Sequence, residues 1–122
     1  MRLVVSDGTA RKAEVKGYEF GGKTGTAEKI GANGSYDRKK LISSFVGAFP
    51  SSDPEYIVMV MVDEPVGNKK SWGYATAGWV AAPAAGRVVS SMASILGIEP
   101  RYVADGQDAA APLKQYVSVK KK

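Results

Sequence analysis

Along residues 41–49 apolar and polar positions alternate, with Ile42, Ser44, Val46 and Ala48 on one face and Leu41, Ser43, Phe45, Gly47 and Phe49 on the other, which is the period of a strand. Upstream, residues 18–30 carry β-tolerant side chains interrupted by Gly21, Gly22 and Gly25, and glycine within a strand marks the close approach of another backbone or of a ligand. Gly31-Ala32-Asn33-Gly34-Ser35 joins the two as a turn by composition. Pro50-Ser51-Ser52-Asp53-Pro54 breaks the second strand, and the unbroken apolar run at 56–62 suits a third strand buried on both faces. Three strands in succession predict an antiparallel meander. Residues 63–71 form a polar loop, after which Trp79, Val80, Ala84, Val88, Met92, Ile95 and Leu96 recur at threes and fours, a helical stripe. Pro83 suits the first turn of that helix and Gly97 its end. Residues 1–5 read as the last turn of a helix that begins upstream, and residues 106–122 have no sustained period and read as a mobile tail. The fold class is therefore α+β, a three-stranded meander with a C-terminal helix packed on it, in a domain spanning residues 1–104 followed by a basic tail at 105–122.

Composition narrows the chemistry. The 122 residues carry 17 Lys and Arg against 12 Asp and Glu, a net charge of +5, but Lys114, Lys120, Lys121 and Lys122 all fall in the tail. Nucleic-acid binding asks for a basic stripe with interleaved aromatics, and the one internal cluster, Arg38-Lys39-Lys40, lies beside the glycine-rich turn as a solvated face. With no Cys and no His, disulfides, zinc sites of the usual ligand sets and histidine-based triads are excluded. Chemistry must run on Lys, Ser, Thr, Tyr or carboxylates. No apolar run approaches the length of a membrane helix.

The motif Gly21-Gly22-Lys23-Thr24-Gly25-Thr26-Ala27 supports two chemistries. From Gly17 to Thr24 the chain satisfies the phosphate-loop pattern G-x-x-x-x-G-K-[ST], and the 57–64 segment imitates the apolar strand ending in acids that holds magnesium in nucleotide hydrolases. That mechanism needs a buried strand before the glycines and a helix straight after Lys-Thr. Here the preceding residues 9–16 are too polar and the following ones too rich in glycine, so a P-loop NTPase is the weaker alternative. The other chemistry is that of the K-T-G motif. On an edge strand such a motif lets a peptide lie alongside and add to the backbone hydrogen bonds, with alternate side chains turned into the cleft.

Lys23-Thr24-Gly25-Thr26-Ala27-Glu28-Lys29, Phe45-Val46-Gly47-Ala48-Phe49-Pro50, Val60-Met61-Val62-Asp63-Glu64-Pro65 and Gly78-Trp79-Val80-Ala81-Ala82-Pro83, in that order and spacing, resemble the closing part of the transpeptidase domain of class B penicillin-binding proteins, most of all the septal, cell-division type. The resemblance runs from about residue 1 to 102. It implies part of the five-stranded sheet of the serine β-lactamase and penicillin-binding-protein fold, in an incomplete domain. It implies a parent enzyme, a D,D-transpeptidase that cross-links peptidoglycan stem peptides by serine acyl transfer and is acylated by β-lactams, with no metal or organic cofactor. It implies membrane anchorage by a segment outside this chain, with the catalytic domain in the periplasm or outside the cell. Lys23 would supply positive potential for the substrate carboxylate, Thr24 and Thr26 hydroxyls would bind it, and Gly25 would keep the surface clear. The backbone N–H of Thr26 would be one of two oxyanion-hole donors, each worth about 3 to 4 kcal/mol in comparable hydrolases.

The family's nucleophile stands in S-x-x-K and its partner in S-x-N. No S-x-N occurs here, and the sole S-x-x-K, Ser118-Val119-Lys120-Lys121, lies in the polar tail. The chain alone is thus expected to be inactive, or to act only as a noncovalent binder of D-Ala-D-Ala peptides and β-lactams. Trp72 and Tyr74, in the loop after the third strand, serve either as a cleft wall or as packed loop anchors. Trp79 and Met92 read as core, and Asp63 and Glu64 as a strand-end turn. In the family the outer edge of the 56–63 strand pairs with a strand from the missing N-terminal part, so the isolated chain is expected to self-associate through that edge.

Overall fold

The computed structural model describes residues 8–100, and the expectations for residues 1–5 and for the tail lie outside them. Strands β1 (Gly21–Ile30), β2 (Tyr36–Phe49) and β3 (Tyr56–Asp63) form one antiparallel sheet in the order β1-β2-β3, the meander the sequence predicts. A 3-10 turn at Arg11–Ala13 precedes the sheet, a second at Lys69–Ser71 follows it, and helix α1 (Ala81–Leu96) closes the described chain.

Alternation decides the core. Phe45 lies between Thr24 and Val60, Gly47 between Gly22 and Val58, and Phe49 faces Tyr56, so these residues share the side that α1 covers. Phe45, Phe49 and Val58 are buried there with Phe20, Ala85, Val89 and Ala93. Phe20 and Phe45 pack with ring centroids 5.4 Å apart. Burying rings of this size supplies most of the apolar area available to so small a sheet.

The structure departs from the sequence pattern at three places. β2 begins at Tyr36 rather than Leu41, and the pairing jumps from Glu28 opposite Leu41 to Lys29 opposite Asp37. Arg38, Lys39 and Lys40 therefore form a bulge exposed to solvent, which no two-residue period reveals. β3 is buried on one face only, with Ile57, Met59 and Met61 exposed by 79, 61 and 58%. The helix also faces the core differently from the stripe of large residues. Its buried positions are Ala81, Ala82, Ala85, Gly86, Val89 and Ala93, while Val88, Ile95 and Leu96 are exposed. Close approach explains this: a Cβ on Gly86 would stand 2.9 Å from the Ala13 carbonyl oxygen, so only small residues fit where α1 crosses the first 3-10 turn. Pro83 does fall in the first turn, and Gly97 ends the helix with φ 67°.

Among the described residues no helix is long and apolar enough to cross a membrane.

Candidate active-site strand

β1 is an edge of the sheet as described, so the N–H and C=O groups of alternate residues point away from β2. Lys23, Thr24, Gly25 and Thr26 all sit in the middle of this ten-residue strand. A phosphate loop is contradicted here, since Lys23 and Thr24 run on as strand instead of opening a helix.

The strand period splits the motif between two faces. Thr24 and Thr26 stand opposite Phe45 and Ser43, on the helix side, whereas Lys23 and Gly25 stand opposite Val46 and Ser44 on the other. A Cβ on Gly25 would meet Ser44 Oγ at 2.8 Å, and that hydroxyl donates to the Gly25 carbonyl at 3.1 Å. Gly25 thus serves the fit against β2.

Both threonines line an open groove of about 640 Å³ whose other hydroxyls come from Thr9 and Thr76, whose cations are Arg11 and Lys12, and whose walls include Gly78 and Trp79. Thr9 Oγ1 and Thr24 Oγ1 are 3.2 Å apart. Thr26 Oγ1 accepts the Ala77 N–H at 3.0 Å, and Ser43, its cross-strand neighbour, donates to the Ala75 carbonyl at 2.6 Å. These two bonds fasten the 75–77 segment to the motif strand and to β2 beside it. Trp79 lies before the helix rather than in the core. Its ring carries Lys12 Nζ 4.0 Å from the centroid, a cation–π contact at the groove rim. Met92 is half-buried against the core, in line with its sequence reading.

Trp72 and Tyr74 do not line the groove. Trp72 is 83% exposed at the end of the second 3-10 turn, which Asn68 and Ser71 close with a reciprocal pair of hydrogen bonds. Tyr74 is exposed too, one residue before the segment fastened to Thr26.

A second cluster stands outside the groove. Lys29 Nζ reaches Asp63 Oδ1 at 3.0 Å and Glu64 Oε1 at 2.8 Å, linking the end of β1 to the end of β3. Glu64 takes a left-handed turn with φ 48° as its N–H donates to the Leu41 carbonyl. Hydrogen bonds to Glu64 and Asp63 hold the Lys29 ammonium above its usual pKa. Ala27, Ile42 and Asp63 stand in register across the sheet, and strand alternation sets Lys29 on the same face two residues along from Ala27, within reach of the acids.

An edge strand bearing Lys-Thr-Gly-Thr beside a groove of hydroxyls and cations, backed by a C-terminal helix, is an arrangement that fits the K-T-G resemblance read from the sequence. The sequence model described as "Penicillin binding protein transpeptidase domain" matches residues 1–89, and the chain belongs to that family. It is 43% identical over 114 residues to the probable peptidoglycan D,D-transpeptidase FtsI of Caulobacter vibrioides, covering 86% of this chain and 19% of that protein. With the stage V sporulation protein D of Bacillus subtilis it shares 43% over 101 residues, covering 83% of this chain and 15% of that protein. The chain thus spans less than a fifth of the length of these relatives. Among solved structures, the apo TP domain of Burkholderia pseudomallei penicillin-binding protein 3 aligns with a TM-score of 0.69 at 38% identity, over 84% of this chain and 29% of that one. Penicillin-binding protein 3 of Mycobacterium tuberculosis, complexed with ampicillin, aligns at 0.68 and 26% identity, over 88% of this chain and 23% of that one.

Proposed function

We propose that this chain is the substrate-binding wall of a peptidoglycan D,D-transpeptidase of the cell-division type, acting on the outer face of the cytoplasmic membrane through an anchored parent. The observation that carries the reading is the pairing of Thr24 and Thr26 on one face of an exposed edge strand, both opening onto the cation-bearing groove. In this reading a stem peptide ending in D-Ala-D-Ala lies antiparallel to β1, with its terminal carboxylate on the two hydroxyls. The Thr26 N–H supports the oxyanion as the carbonyl carbon becomes tetrahedral. A serine outside the described strand attacks that carbonyl, the C–N bond breaks, and D-Ala leaves with a proton on its nitrogen. An amine from a second stem peptide then displaces the serine ester and takes the acyl group. A β-lactam follows the first half of this path and stalls, consistent with the relative that is complexed with ampicillin.

The chain alone binds but does not acylate, because its only S-x-x-K is the tail segment beginning at Ser118 and it has no S-x-N. Calorimetry with an N-acyl-D-Ala-D-Ala peptide should register heat, whereas an inert chain gives none. Intact-mass analysis after incubation with benzylpenicillin should find no added mass; a covalent adduct would refute the noncovalent part of this reading.

A further inference from the structure

We infer that Arg11 and Lys12, rather than Lys23, supply the positive charge that holds a peptide carboxylate against Thr24 and Thr26. The inference rests on the proposed function and adds a specificity device to it.

The strand period separates charge from hydroxyl within the motif. Lys23 shares its face with Val46 and Met59, across the sheet from the side where Thr24 and Thr26 stand beside Phe45 and Ser43. Two neutral hydroxyls hold a carboxylate weakly unless a cation stands near, since hydrogen bonds to charged partners gain most of their strength from charge assistance. The first 3-10 turn delivers that cation. Among the described residues, Arg11 and Lys12 are the charged groups that line the groove, and no described acid lines it with them.

Their placement is built by packing. Thr9, two residues before Arg11, has its Oγ1 3.2 Å from Thr24 Oγ1. Its carbonyl oxygen lies where a Cβ on Gly78 would come within 2.6 Å, so the approach to the turn is seated on the 76–79 segment with no room to spare. Ala13, the next residue, is fully buried under α1. The backbone on both sides of Arg11 and Lys12 is therefore fixed while the two side chains remain exposed. Lys12 is held further by the Trp79 ring, 4.0 Å from its ammonium, and Trp79 itself lines the groove. Arg11 offers a planar fork suited to a carboxylate, and Lys12 adds a point charge at the rim.

The ligand class is a peptide with a free C-terminal carboxylate. The test titrates the 122-residue chain with N-acyl-D-Ala-D-Ala and with the same peptide ending in D-alaninamide. Wild type should bind the acid roughly tenfold more tightly than the amide, the scale of one charge-assisted contact. An Arg11→Gln, Lys12→Gln double variant should lose that preference, and Arg11→Lys should keep most of it. Both side chains are exposed, so folding is not at stake, and a Lys16→Gln control should behave as wild type. Loss of the acid preference in Lys23→Gln but not in the double variant would overturn the inference and leave the proposed function standing. If wild type binds acid and amide alike, the inference also fails. If it binds neither peptide, the proposed function itself fails and takes the inference with it.

Discussion

Gly22 lies where β1 crosses the Phe45 ring, and a Cβ there would come within 2.6 Å of the Val46 carbonyl oxygen and into the ring edge. Neither can retreat, because Phe45 is fully buried and Val46 belongs to the central strand. Gly22→Ala should therefore destabilise the chain by roughly 1–3 kcal/mol through overpacking, read as a shift in the urea midpoint. A change of less than about 0.5 kcal/mol would fit an ordinary surface site and contradict this packing. Gly97 differs: nothing lies near its missing side chain, and its φ of 67° alone resists substitution. Gly97→Ala should cost about 1 kcal/mol, with the groove untouched. At this scale the sequence put Lys23 to Thr26 on a strand, and the structure has them in the middle of β1. What the sequence left open was how they divide between faces. Trp79 shows the same limit: its spacing fits a helix stripe, but it sits two residues before the helix and walls the groove.

Between elements, the Lys29 clamp to Asp63 and Glu64 joins the two outer strands across β2. Because the folded chain raises the Lys29 pKa above the ordinary value of 10.5, its contribution to stability is complete below that pH and is lost as pH climbs through the raised value. The stability difference between wild type and Lys29→Met should accordingly be constant from pH 7 to 9 and shrink above 10.5, as followed by chemical denaturation. A difference that instead vanished on going below neutral pH alone would show that the ammonium is not the titrating partner. Strand order and the helix were legible from period and turn chemistry. The bulge at 38–40 was not, since charged residues at a hairpin tip carry no alternation. The buried face of α1 was also missed, because weighting by large apolar residues overlooks a crossing so close that alanine and glycine must fill it.

For the whole molecule, two apolar surfaces stay open among the described residues: Ile57, Met59 and Met61 beneath the sheet, and Val88, Ile95 and Leu96 on the outside of α1. The matched part makes up 29% of the solved TP-domain chain, so a domain of this family has ample further material to cover both. The outer edge of β3 pairs with no other strand among the described residues, and we propose that a second copy of the isolated chain pairs with it. Sedimentation should reveal dimers or larger species that Met59→Lys with Met61→Lys converts to monomer; a wild-type chain that stays monomeric at high concentration argues against this. These surfaces were half legible: the 56–62 run announced a buried strand, but which face lay open depended on partners that no local pattern records. In the proposed function, residues 22–27 are a peptide-receiving edge. That role is tested most directly by following the backbone amide resonances of the chain while N-acyl-D-Ala-D-Ala is added. Shifts should concentrate at Thr24, Gly25 and Thr26 and across the groove at Thr9 and Arg11. Shifts confined to other parts of the sheet, or none at saturating peptide, would contradict it.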